Sequence, residues 1–298
     1  MPDRRQFLGS LAAAPFLAAG LSAQTSTATS VTSAGAELAV MTYNLRYASE
    51  KPPNDWPTRR PVMKTLLRQY QPDVIGTQEG VYAQLKGVAA DLPDYDSIGL
   101  GRDGGSRGEF MAVFYRPDRL EPLEYDHFWL SDTPEVIASS TWGNTNKRMV
   151  TWVRFLDRRT RREFYFWNTH LDHALQPARE KAATLIRERI RQQADLKLPL
   201  LLVGDFNAYA QANRVYDQLV SEGGLKDTWF LAETRRNENS NSFNGFEARR
   251  DEGKRIDWIL ARGDVSVRAT EIITFEHNGQ WPSDHFPVMA WLTWKPVA

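Results

Sequence analysis

The stretch Leu198-Pro199-Leu200-Leu201-Leu202-Val203-Gly204-Asp205-Phe206-Asn207 is an apolar run that stops on an acid, with an amide two residues further on. Such a run fits a strand covered on both faces. A strand interior does not keep a bare carboxylate, so Asp205 is expected at the strand's end, facing a cleft. Outward from this stretch the same pattern recurs in Thr42-Tyr43-Asn44-Leu45-Arg46, Thr77-Gln78-Glu79-Gly80, Asn168-Thr169-His170-Leu171-Asp172-His173, Arg255-Ile256-Asp257-Trp258 and Ser283-Asp284-His285-Phe286-Pro287. Each is a short polar cluster closing an apolar run, and together they are expected to form one site.

Periodicity supplies the elements between these clusters. Strands are expected at Glu37 to Tyr43, Asp73 to Gln78, Tyr95 to Leu100, Phe110 to Tyr115, Val150 to Leu156, Glu163 to Asn168, Leu198 to Asp205 and Ile256 to Ala261. Val265 to Phe275 and Phe286 to Trp294, rich in Val, Ile, Thr and Trp, close the chain. Thr58 to Gln71 puts Val62, Met63, Leu66, Leu67 and Tyr70 on one helical face, with Thr58 as N-cap and Pro72 as stop. Further helices are expected at Tyr82 to Leu92, Pro177 to Ala194 and Ala212 to Ser221. Many strands with a few interspersed helices predict an α/β domain of two packed sheets with helices outside, spanning residues 37–298.

Lys plus Arg and Asp plus Glu both count 37, so no global field draws the chain to DNA or an anionic membrane. The absence of cysteine removes disulfides, thiolate catalysis and cysteine-ligated zinc. Arg4-Arg5-Gln6-Phe7-Leu8, the uncharged stretch from Gly9 to Leu21 and the small residues before Gln24 read as an export signal over residues 1–23. The paired arginines resemble a twin-arginine signal; an ordinary secretory signal is the alternative. Either implies the export machinery as a partner, a periplasmic or secreted location, and no stable membrane anchor, since the run is short for a bilayer. Residues 24–36, rich in Ser, Thr and Ala, read as a flexible leader. The mature protein is expected to be a monomer.

Asn44, Glu79, Asp205, Asn207, Asp257, Asp284 and His285 are mostly oxygen donors, each at an expected strand end. Such sites suit Mg²⁺, with Mn²⁺ as an alternative, bound by one or two carboxylates and substrate phosphate. Phosphoester hydrolysis is the expected chemistry. The loop from Gly101 to Gly108, with four glycines plus Arg102 and Arg107, has two readings that spacing does not separate: an anion cradle or a glycine-rich hairpin turn. Arg148, entering a strand after Asn144-Thr145-Asn146-Lys147, is a candidate phosphate partner. His127 and His277 read as structural or surface histidines, and the basic run Asp157 to Arg162 as a solvated hairpin tip.

The ordered motifs TYNLR, GTQEG, NTHLDH, GDFN, RIDWI and SDHFP resemble the endonuclease/exonuclease/phosphatase superfamily from about Val40 to the C-terminus. The stretches GLGRDGG with GEF, FYRPDR and FWLSDTPE resemble an uncharacterised bacterial branch of it. The resemblance implies a deoxyribonuclease-I-like four-layer sandwich of two mixed β-sheets flanked by helices, with the site at one edge. It implies Glu79 as principal metal ligand with Asn44 beside it and Asp284 near the ion. It further implies Asp205 as the residue that orients or deprotonates water, Asn207 holding a phosphate oxygen, and His285 on the phosphate, oriented by Asp257. His170 matches a second phosphate-contacting histidine, Asp172 is a further participant, and Tyr115 lines the site. The expected substrate is a small organophosphate or phosphodiester; an extracellular nuclease acting on nucleic acid is the alternative, and a catalytically silent binding module the third reading.

Overall fold

The computed structural model describes residues 37–193, 197–247 and 251–295. The export signal (residues 1–23) and the leader (24–36) fall outside the described residues. Fifteen strands are described: β1 (Leu38–Asn44), β2 (Val74–Gln78), β3 (Gly80–Val81), β4 (Asp96–Ile98), β5 (Glu109–Phe110), β6 (Val113–Tyr115), β7 (Leu120–Trp129), β8 (Met149–Asp157), β9 (Arg162–His170), β10 (Leu200–Asp205), β11 (Lys226–Asp227), β12 (Ala232–Arg236), β13 (Asp257–Arg262), β14 (Val265–Ile272) and β15 (Val288–Trp294). The longer helices are α1 (Trp56–Tyr70), α2 (Tyr82–Asp91) and α3 (Gln176–Gln192).

One seven-stranded sheet runs β12-β14-β15-β1-β2-β6-β4, and a six-stranded sheet runs β11-β13-β10-β9-β8-β7. Period-2 alternation assigns the two faces of each. On β10, Leu201 and Val203 enter the core between the sheets, while Leu200 and Leu202 pack under α3 with Ala182, Ala183 and Ile186. On β1, Leu38 and Val40 face the same inter-sheet core, while Met41 and Tyr43 meet Met63, Leu66 and Leu67 of α1. Both faces are therefore apolar, and the layers stack helix, sheet, sheet, helix, as the motif order implied.

Parallel pairing brings the polar strand ends to one edge. β1 pairs in parallel with β2, and β9 with β10, so Asn44, Gln78, His170 and Asp205 all finish on the same side. The antiparallel β13 starts there with Asp257 opposite Asp205. β15 also starts there, Val288 opposite Thr42, which delivers Asp284 and His285 to the same edge. Beneath it the sheets are tied by Gln78 Nε2, which donates to Asn168 Oδ1 at 2.8 Å, and by Asn168 Nδ2, which donates to Thr77 O and Ala112 O. Gly76 permits this approach: a Cβ there would lie 2.4 Å from Val203 Cγ2.

The expected strand Phe110 to Tyr115 is two strands. β5 pairs with β3, and β6 joins the large sheet, because Ala112 O turns aside to accept from Thr77 N and Asn168 Nδ2. Helix α1 starts earlier than expected: Asp55, not Thr58, is the N-cap, accepting from Thr58 N at 3.0 Å, and Pro57 fits the first turn. The expected helix from Ala212 begins at Arg214 after the Asn213 cap and widens into a π-turn over Asp217–Ser221. Strand β7 had no sequence signal, since it is an edge strand with an exposed middle carrying Pro122 and three acids.

Candidate active site

Three of the strand ends turn through a left-handed residue: Arg46 after β1 (φ 53°), Glu79 after β2 (φ 63°) and Asn207 after β10 (φ 47°). Such conformations cost about 1 kcal/mol or more for a non-glycine residue and persist where the surroundings impose them. Here they turn polar side chains into a shared cavity of about 370 Å³, lined among others by Arg46, Glu79, Arg102, Arg148, His170, Asp205, Asn207, Asp284 and His285. A larger cavity of about 780 Å³ lies elsewhere, along α3 beside Trp142 and Lys181, and holds none of the strand-end residues.

Asn44, fully buried, donates through Nδ2 to Glu79 Oε1 and to Asp205 Oδ2, both at 3.0 Å, and accepts Arg46 N–H on its oxygen. In this arrangement it holds the two carboxylates, and its oxygen is occupied by the Arg46 N–H. Asp205 Oδ1 accepts Asn207 N–H at 2.9 Å. Asn207 Nδ2 donates to Leu171 O and to His170 Nε2 at 3.0 Å, leaving the ring proton of His170 on Nδ1. His285 Nδ1 donates to Asp257 Oδ2 at 3.0 Å, and His285 Nε2 lies 3.7 Å from Asp205 Oδ2. Ser283 fixes this loop, donating to Asn44 O at 2.7 Å and accepting His285 N–H.

Burial and neighbouring charge set the protonation states. Burial lifts Asp205 above the usual carboxylate range, and the nearby Asp257 adds to the lift, against His285 and two hydrogen bonds. Burial alone would lower His285, but Asp257 and Asp205 reverse this and raise it well above an ordinary histidine, so it is an imidazolium. Burial, reinforced by Arg148 and His285, holds His170 neutral. Glu79 ends below its ordinary value because the Asn44 hydrogen bond and the charges of His285 and Arg46 outweigh its burial. Burial raises Asp284.

Two groups offer themselves to a cation. Asp205, Asp257 and His285 have donor atoms within 4.8 Å of one another. That imidazole is already spent on Asp257 and is protonated, so the trio reads as an acid–imidazolium relay. Glu79 and Asp284 fit a hard ion better: both are cavity carboxylates, and the Arg46 guanidinium already bridges them, 3.8 Å from Glu79 Oε2 and 3.5 Å from Asp284 Oδ2.

The sequence-expected residues Glu79, Asn44, Asp284, Asp205, Asn207, Asp257, His285, His170 and Arg148 come together at this edge. Three do not. Tyr115 pairs with Val74 at the other end of β2 and packs on Phe155 in the inter-sheet core, because β6 runs antiparallel away from the site. Arg107 is exposed on the loop and donates to Gly104 O; the loop's cavity residue is Arg102, clamped by Glu109 at 2.7 and 3.0 Å. Asp172 lies behind the cavity wall, its Oδ1 accepting Ala174 and Leu175 N–H at the start of α3. Sequence reading assigned no role to Arg46, Tyr47, Glu109, Asn146 or Phe243, all cavity-lining. For Arg46 the position inside TYNLR was the available signal. Arg59 was also missed: it is fully buried and donates to the carbonyls of Leu45, Arg46, Tyr47, Asn54 and Pro282, tying the loop after β1 to the segment before Asp284.

With this geometry in view, the family profile for the Endonuclease/Exonuclease/phosphatase family matches residues 41–285, and the chain belongs to that family. Two solved structures from Bacteroides thetaiotaomicron are similar to it. An endonuclease/exonuclease/phosphatase family protein is 35% identical with a TM-score of 0.82, covering 87% of this chain and 98% of its own. A mannosyl-6-phosphatase is 35% identical with a TM-score of 0.81, covering 86% of this chain and 100% of its own. A protein of Acanthamoeba polyphaga mimivirus is 31% identical over 160 residues, which is 51% of this chain and 59% of that relative's length.

Proposed function

We propose that this chain is an exported, divalent-cation-dependent phosphoesterase that hydrolyses a small organophosphate by in-line attack of water. The observation that carries the reading is the pairing of the Asp205 carboxylate with the Asp257–His285 relay at 3.7 Å, beside the Glu79 and Asp284 carboxylates in one cavity. Asp205 takes the proton of the attacking water as its oxygen bonds to phosphorus. The ester P–O bond breaks on the far side, and the leaving oxygen departs with the electron pair and is reprotonated by solvent. The His285 imidazolium, held by Asp257, neutralises charge growing on the phosphoryl oxygens, and Asn207 keeps the lone pair of His170 Nε2 occupied beside them. Glu79 and Asp284 would hold Mg²⁺ or Mn²⁺, which when bound supplies Lewis-acid polarisation of the phosphoryl group and stabilises the leaving oxygen.

A cavity of about 370 Å³ suits one small molecule better than a nucleic-acid strand, and the balanced charge points the same way. Exposed Tyr47 and Phe243 at its wall offer rings to the organic part of a substrate. Similarity to the mannosyl-6-phosphatase supports sugar phosphates as the first class to try. The export reading is supported by Arg4-Arg5 and the uncharged stretch after them. The test is phosphate or alcohol release from sugar phosphates, other monoesters, diesters, DNA and RNA, with and without Mg²⁺, beside Glu79→Gln. Cation-dependent turnover of small esters, with Glu79→Gln needing more cation, is the expected result; cleavage of nucleic acid alone would replace this reading with a nuclease.

A further inference from the structure

Across the site edge of the six-stranded sheet the register places Asp257, Asp205 and His170 side by side on β13, β10 and β9. Val150 opposite Thr169 extends that row to Arg148, just before β8. With strands about 4.8 Å apart, the Arg148 backbone stands two strands, roughly 10 Å, from that of Asp205, within reach of a guanidinium extending over His170.

Arg148 is a buried cation whose one ion pair, to the buried Asp172, is too long for a hydrogen bond. It is 4% exposed, yet its Nε and Nη1 have no hydrogen-bond partner among the described residues. Its Nη2 lies 3.3 Å from His173 Nδ1, and its nearest carboxylate oxygen, Asp172 Oδ2, stands at 3.9 Å, beyond hydrogen-bond range. The other cavity arginine on this side, Arg102, is by contrast fully engaged with Glu109 and also donates to Asn146. A guanidinium removed from water with unused donors is costly, and a fork of that shape fits two oxygens of a phosphate.

We propose that Arg148 selects a terminal phosphate, making this site one for phosphomonoesters over diesters. The inference rests on the phosphoesterase reading given above. A diester presents two non-bridging oxygens, and the free Nε2–H of His285 together with a cation at Glu79 and Asp284 suffices for those. A monoester brings a third such oxygen and a second negative charge. Arg148, on the wall beyond His170, is the group left to meet them.

The experiment compares wild type with Arg148→Met and Arg148→Lys on 4-nitrophenyl phosphate and bis(4-nitrophenyl) phosphate, and follows thermal melting with and without inorganic phosphate. Wild type is expected to prefer the monoester. Arg148→Met is expected to cut monoester kcat/KM by on the order of 10–100-fold, with a much smaller fall for the diester, so that the preference collapses. Arg148→Lys is expected to fall between the two. Inorganic phosphate is expected to raise the melting temperature of wild type and not of Arg148→Met. A wild type that prefers diesters, or a variant that loses both esters equally, overturns the proposal while leaving a phosphoesterase. A lower melting point with an unchanged ester ratio makes Arg148 structural and also overturns it. Silence on both esters with Arg148-dependent phosphate binding sinks the hydrolysis reading and upholds the anion site; silence with no phosphate binding sinks both.

Discussion

The two ends of the sandwich treat buried charge in opposite ways. Strand β2 begins beside Asp73 and ends beside Glu79, while β8 starts after Arg148 and ends at Asp157. At the Asp73 and Asp157 end, Arg119 is 1% exposed and bridges the sheets: Nη1 donates to Asp73 Oδ2 and Glu37 O, both at 2.6 Å, and Nη2 to Asp157 Oδ2 at 3.2 Å. At the other end Asp205 is crowded by Asp257, Asp284 is lifted by burial, and Arg148 keeps two donors unused. At the first end both carboxylates meet a guanidinium directly and serve cohesion, although burial lifts Asp73 there as well. The second is left incomplete, and incompleteness is what a ligand and a reaction need.

The largest expected effect that would break this contrast is at Asp205. Asp205→Asn keeps the shape and removes the proton acceptor, so kcat should fall by about 10²–10⁴-fold while the urea midpoint holds or rises. A variant that keeps its rate, or that unfolds, would put Asp205 with the cohesive end. Next in size is Arg119→Met, which strands two buried carboxylates and should lower unfolding free energy by about 3–5 kcal/mol in denaturant titration, with kcat of the folded fraction preserved. If it melted like wild type, the matched end would not be cohesive.

The smallest effect is a pH-dependent one in metal-free buffer. The folded pKa of Asp205 lies above its unfolded value of 3.8, so the folded state holds that proton more tightly. Wild-type stability from this group is then fullest below the unfolded value and is lost as pH rises through the folded one. Asp205→Asn lacks the titration, and so its melting temperature should exceed that of wild type at pH 8, with the gap closing near pH 3.5. A gap of opposite sign would mean that His285 and Asn44 stabilise the carboxylate outright.

Much of this was legible in advance, for a reason visible in particular residues. The stretch Leu200 to Val203 is apolar on both faces, and a chain that then writes Asp205 and Asn207 has to stop the strand at water or at a cleft. The same logic located Glu79, His170 and His285. The family resemblance failed for Tyr115, whose antiparallel strand carries it to the cohesive end. The logic of apolar runs failed for β7, because an edge strand with an exposed middle has no apolar face to read.

By itself the sequence determined which segments are covered on both faces, where each one ends in polar residues, and that oxygen and imidazole are the chemistry on offer, since these are local properties of composition and order. Only the tertiary structure decided which charges meet a partner. That Arg102 is clamped by Glu109 and Arg148 is not, that Arg46 bridges Glu79 and Asp284, and that Asn44 turns its nitrogen to two carboxylates are facts of packing. Pairing and burial depend on residues far apart along the chain, 239 positions between Asn44 and Ser283 for one, and no local pattern encodes such a distance.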